Sequence, residues 1–102
     1  MGDFKKVMEL AELSEGSAVI ARVDGREIAL FRLGDEVFAL ENVCPHRGGP
    51  LGEGMVQGDL VTCPWHDWSF EIRTGLCTFN PAARARSYPT RISEGSVEVC
   101  IE

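Results

Sequence analysis

No stretch of this 102-residue chain approaches the roughly 18–20 consecutive apolar residues that span a bilayer, so no transmembrane helix and no membrane partner is predicted. Basic residues are scarce. Ten Lys and Arg stand against sixteen Asp and Glu, and a formal charge of −6 is repelled by a phosphate backbone, which excludes nucleic acid as a partner. The opening MGDFKKVMELAEL is too acidic and too broken by charge for a secretory signal, so the expected location is cytoplasmic. Internal repeats, low-complexity tracts, a nucleotide-binding loop and a nucleophile–base pair are all missing, and no catalysis by the chain itself is expected. At this length there is room for one core, and residues 1–102 read as a single domain.

The acid excess is uneven. Residues 1–43 carry nine acids and five bases, whereas residues 77–102 carry three of each, so the front half is suited to steering a basic partner. The texture is strand and turn. SAVIARV (17–23) meets Asp24-Gly25, a strong hairpin signal, and continues into REIALFRL; Gly34-Asp35 turns into EVFALENV. DLVTC (59–63), SFEIRTG (69–75) and LCTF (76–79) follow, and TRIS and SVEVCIE close the chain around Glu94-Gly95. Strands this short and this evenly spaced predict an all-β fold, an antiparallel sandwich or small barrel. Only VMELAELSEG (7–16) reads as a short helix or turn. In the last strand the alternation puts Val97, Val99 and Ile101 inside and Cys100 on the wetter face. Residues 43–80 gather three of the five prolines, six of the eleven glycines and both tryptophans, and read as an insertion mounted on the β base.

Histidine is rarer still: there are two, and each follows a cysteine, in Cys44-Pro45-His46 and Cys63-Pro64-Trp65-His66. Two disulfides would suit a secreted protein, and without a signal for export metal binding is the better reading of Cys44 and Cys63. Cys77 and Cys100 lack such partners and are expected to be ordinary small side chains in strands. Zinc fingers pair like with like, cysteines then histidines, so a zinc-stabilised binding module is an alternative that mixed pairs suit poorly. In a Rieske [2Fe–2S] cluster, two histidines replace two cysteines on one iron, and two loops approaching symmetrically would each deliver one thiolate and one imidazole. The 16 residues between His46 and Cys63 suffice for a loop, a strand pair and a return.

C-x-H, 16 residues, then C-x-x-H resembles the Rieske iron–sulfur family, through most of the chain. The resemblance implies one [2Fe–2S] cluster, with Cys44 and Cys63 on the buried iron and His46 and His66 on the outer one through Nδ1. Pro45 and Pro64 stiffen the loops by fixing φ. Gly48, Gly49, Gly52 and Gly54 admit close backbone approach, with plain turn chemistry the better reading of Gly52 and Gly54. Trp65, Trp68 and Phe70 are expected to wall the cluster from water, and FNPAA (79–83) looks like the family's third, proline-bearing loop, with Pro81 its proline.

Respiratory members of the family add a cysteine to each loop and place hydroxyl residues two and four positions after the second histidine. Here no cysteine is added, and those positions hold Trp68 and Phe70. Fewer hydrogen bonds to sulfur leave the added negative charge of reduction less stabilised, which predicts a low potential. Two low-potential groups fit. One is the ferredoxins that carry single electrons from an NAD(P)H-dependent flavin reductase to a ring-hydroxylating oxygenase. The other is the small subunit of NAD(P)H nitrite reductase, partnered by its large subunit. CPHRGGPL and CPWHDWSFEIRTG look closer to the second, while fold and chemistry are shared with the first.

Overall fold

The computed structural model describes residues 3–45, 48–65, 67–78, 80 and 82–101. Among these, the chain forms ten strands and no α-helix: β1 (Lys5–Glu9), β2 (Ala18–Val23), β3 (Arg26–Leu33), β4 (Glu36–Glu41), β5 (Met55–Gln57), β6 (Leu60–Thr62), β7 (Ser69–Glu71), β8 (Ser87–Tyr88), β9 (Thr90–Ser93) and β10 (Ser96–Val99). They make three antiparallel sheets, in the orders β2-β3-β4-β8, β1-β10-β9 and β5-β6-β7.

The turns are those the dipeptides demand. Asp24 and Gly25 have φ of 50° and 83°, and Glu94 and Gly95 have 50° and 79°. Positive φ at both central residues matches the right-handed twist of the flanking strands and lets Val23 pair directly with Arg26. The apolar run in β3 is uninterrupted because both faces of the central sheet are covered. Ile28 and Leu30 pack with Leu13, Val37, Ala39, Tyr88, Val97 and Val99. Ala29 and Phe31 face the other way, onto Leu40, Leu51, Val61, Phe70 and Ile72. A sheet buried on both sides needs no polar alternation.

The chain leaves the central sheet at the end of β4 and returns in β8, which pairs beside it through Ala39↔Tyr88 and Leu40↔Ser87. β5–β7 are inserted between these two neighbours, and the buried apolar residues of the insertion pack on the Ala29 and Phe31 face. No helix among the described residues is long and apolar enough to cross a membrane.

Three expectations give way. Residues 7–9 are strand, paired with the C-terminal β10, and only Leu10–Glu12 winds into a single 3₁₀ turn. Of LCTF, the described residues 76–78 form no strand; Leu76 and Cys77 make isolated bridges to Arg84 and Phe70. Cys100 is buried at 6 % exposure, because β10 ends at Val99 and the Cys100 N–H turns to the Pro89 carbonyl at 3.0 Å.

Candidate metal centre

Cys44 and Cys63 occupy the same station of the same small hairpin, built twice. In the first, Val43 bridges to Pro50, the Cys44 N–H donates to the Gly49 carbonyl (2.8 Å), and the Gly48 N–H donates back to the Cys44 carbonyl (2.8 Å). In the second, Thr62 pairs with Ser69, the Cys63 N–H donates to the Trp68 carbonyl (2.8 Å), and the Asp67 N–H donates back to the Cys63 carbonyl (3.0 Å). The fifth residue of each loop, counting from its cysteine, turns through the left-handed region, Gly48 at φ 82° and Asp67 at φ 60°. Each cysteine is therefore held by the same pair of backbone hydrogen bonds.

The two tips touch. A Cβ added to Gly49 would sit 2.7 Å from Cys63 Sγ and 2.9 Å from Trp65 Cγ, closer than any real side chain tolerates. Cys44 and Cys63 are both buried as thiols, 1 % and 0 % exposed, in one apolar core with Leu51, Val61, Phe70 and Ile72. Two buried cysteines on touching loops offer a metal a pair of soft sulfur donors out of reach of water. His46 and His66, the other two expected ligands, lie outside the described residues, as do Phe79 and Pro81 of the expected third loop.

The glycines divide by mechanism. Gly48 is there for its φ, and Gly49 for its contact with Cys63 and Trp65. Gly52 and Gly54, expected as plain turn residues, have no positive φ. A Cβ at Gly52 would strike Ile20 and one at Gly54 would strike the Thr62 carbonyl, so close packing demands both. The expected aromatic wall also divides. Phe70 is fully buried, Trp68 packs partly against the same core, and Trp65 lies over Gly49 yet leaves 60 % of its surface in solvent. Beside the second loop runs a groove of about 450 Å³ lined by Glu53, Met55, Gln57, Thr62, Cys63, Pro64 and Asp67.

One residue of the site was not singled out in the sequence. Asn42, two positions before Cys44, is the one buried polar side chain among the described residues. Its signal was a polar residue closing the apolar strand EVFALENV.

Two buried sulfurs delivered by repeated loops whose tips meet supply two of the four protein donors that a two-iron cluster requires, one thiolate from each loop. The Rieske [2Fe–2S] domain model matches residues 3–91. The chain belongs to the Rieske [2Fe–2S] domain family. Its cofactor is accordingly a Rieske-type [2Fe–2S] cluster, and its role is that of an electron carrier. It is 46 % identical over 81 residues to the ferredoxin subunit of anthranilate 1,2-dioxygenase from Burkholderia cepacia, covering 78 % of this chain and 75 % of that one. Two solved structures share the Rieske fold nearly end to end. One is a chain of the complex of reduced oxygenase and oxidized ferredoxin in carbazole 1,9a-dioxygenase, with 30 % identity, a TM-score of 0.88, and 97 % and 94 % of the two chains covered. The other is described as an NADH-dependent nitrite reductase small subunit from Mycobacterium tuberculosis, with 28 % identity, a TM-score of 0.92, and 100 % and 97 % covered.

Proposed function

We propose that Cys44 and Cys63 bind the inner iron of the cluster and His46 and His66 the outer one, and that the chain carries single electrons from an NAD(P)H-dependent flavin reductase to a terminal ring-hydroxylating oxygenase. Residues 1–102 act as one domain in the cytoplasm, with a cluster-binding portion at about 43–80. The observation that carries this reading is the repeated hairpin, which sets two buried cysteines at equivalent stations with touching tips. The likeness to an oxygenase ferredoxin subunit supports the choice of partners.

When bound, the cluster takes up and returns one electron at a time. The chain's own residues do the rest. Phe70, Leu51, Val61 and Ile72 exclude water from the cysteine side. Gly49 lets the loops close, and the exposed Trp65 face and the Met55 groove give a partner apolar surface beside the site. At the two positions after the second histidine where hydroxyls would raise the potential, Phe70 has no donor and Trp68 no hydroxyl. The hydroxyls of this hairpin, Thr62 Oγ1 and Ser69 Oγ, are 3.0 Å apart and bond to one another. The expected midpoint is near the low end of the Rieske range, roughly −150 mV.

Three measurements test this. Purified protein is expected to hold two irons and two sulfides per chain and, once reduced with dithionite, to give the anisotropic EPR signal of a mixed Cys/His cluster; a single zinc would overturn the assignment. Redox titration giving a midpoint above roughly +100 mV would overturn the potential argument. Mixed with a ring-hydroxylating oxygenase, the reduced protein is expected to be reoxidised. The likeness to a nitrite reductase small subunit favours a second reading, and stable association with a nitrite reductase large subunit, without reoxidation by oxygenase, would select it.

A further inference from the structure

All four hydrogen-bonding groups of the Asn42 residue are committed. Its N–H donates to the Glu27 carbonyl (3.2 Å), and its carbonyl accepts from the Leu51 N–H (2.7 Å). Its side-chain Oδ1 accepts from the Gly52 N–H (2.7 Å) while Nδ2 donates to Glu27 Oε1 (3.2 Å). Asn42 thus grips the chain just before the first loop and just after it, and ties both ends to β3 of the central sheet. The packing here is close: a Cβ at Gly52 would lie 3.0 Å from Oδ1 and strike Ile20, so only glycine fits beneath the Asn42 side chain. Glu27 is itself held by Arg22, 3.2 Å away. The second loop has a different closure: Thr62 and Ser69 bond hydroxyl to hydroxyl within their own hairpin.

We propose that Asn42, acting with Glu27, is the positioning residue of the first cluster loop: it sets where Cys44 stands relative to Cys63, and through this the surroundings of the cluster. The proposal rests on the ligand assignment above. Removing either partner leaves a buried donor or acceptor of the amide unsatisfied, so each bond of the clamp is costly to lose. Opening it frees residues 43–50 to move relative to the second loop while leaving the β base paired.

The test uses cluster-loaded wild type, N42A, N42D and the double variant N42D/E27Q. N42D keeps an acceptor for Gly52 but sets a carboxylate against Glu27. Adding E27Q reverses the donor and acceptor of that bond, keeps the formal charge of wild type, and leaves an amide oxygen for Arg22. N42A and N42D are expected to release iron to a chelator about tenfold faster than wild type and to change the anisotropy of the EPR signal. The double variant is expected to restore both. Loss of thermal stability in N42A and N42D with wild-type EPR and wild-type iron release would overturn the proposal, as would a double variant indistinguishable from N42D. If N42A takes up no iron, the comparison of N42D with the double variant decides alone. Wild type without two irons and their EPR signal would instead overturn the ligand assignment, and this proposal with it.

Discussion

The two cluster loops share a Cys-Pro start, a histidine and a hydrogen-bond frame, and little else. Both return the same pair of hydrogen bonds to their cysteine, and both turn through positive φ at the same station. Yet one fills that station with Gly48 and the other with Asp67; the next holds Gly49 in one and Trp68 in the other. The first is rooted in the central sheet through Asn42, while the second is the end of its own β6–β7 hairpin. Backbone geometry therefore specifies how a sulfur is presented, and side chains specify how each loop is anchored and what lies against it. The repeat is hidden in the sequence because the histidines break it: His46 comes two residues after its cysteine and His66 three, so aligning the pairs by histidine misplaces every other residue.

The largest effect comes where the loops are equal. Cys44→Ser and Cys63→Ser are each expected to abolish the cluster, leaving colourless protein without the EPR signal. If one variant kept a full cluster, the equivalence of the two stations would be wrong. A change at the next station separates the loops instead. Trp68 already carries a side chain there, but a Cβ at Gly49 has Cys63 Sγ at 2.7 Å and Trp65 Cγ at 2.9 Å. Gly49→Ala is expected to cost about 1–3 kcal/mol by overpacking and to reduce iron content sharply. Urea denaturation and iron analysis of one preparation check both, and full occupancy at wild-type stability would show that the tips do not meet.

How much of this was legible in the sequence depends on the range of the interaction. Hairpins governed by Asp24-Gly25 and Glu94-Gly95 were readable because two residues dictate them. The cysteine–histidine spacing pointed to mixed ligation, since ligand chemistry is carried by residue type. Residues 7–9 misled because their local spacing suits a helix, whereas their partner strand lies at the far end of the chain, and pairing overrides local preference. Cys100 misled because alternation holds only while a strand continues, and this one stops at Val99. The reasons for Gly52 and Gly54 were out of reach for the same cause: Ile20 and Thr62 meet them only after folding.

The left-handed station sharpens the comparison further. Gly48→Ala forces a Cβ into a conformation that costs an L-residue about 1–2 kcal/mol, and stability should fall by about that much. Asp67→Gly is expected to change stability by less than about 1 kcal/mol, and upward if at all, since aspartate tolerates this region and glycine occupies it without strain. Opposite signs measured at equivalent stations would confirm one frame with two fillings. A large loss in Asp67→Gly would mean that its carboxylate, not its backbone, holds the second loop.

The smallest effect concerns the roots of the loops. Tyr88 donates its hydroxyl to Glu41, the residue before Asn42, and Arg86 lies over its ring at 5.0 Å. Burial, reinforced by the Glu41 carboxylate, raises the Tyr88 pKa above the ordinary 10.0. The unfolded chain therefore loses this proton at lower pH than the folded one. Between those two pKa values the native state binds more protons, so stability falls as pH rises, and below pH 10 the contribution is fully present. The root of the second loop, Thr62 and Ser69, has nothing that titrates in this range. Urea midpoints measured from pH 8 to 11 are expected to drop less steeply above pH 10 in Tyr88→Phe than in wild type. Identical slopes would mean that the phenol titrates alike in both states, and that the first loop's root is no more sensitive to alkali than the second's.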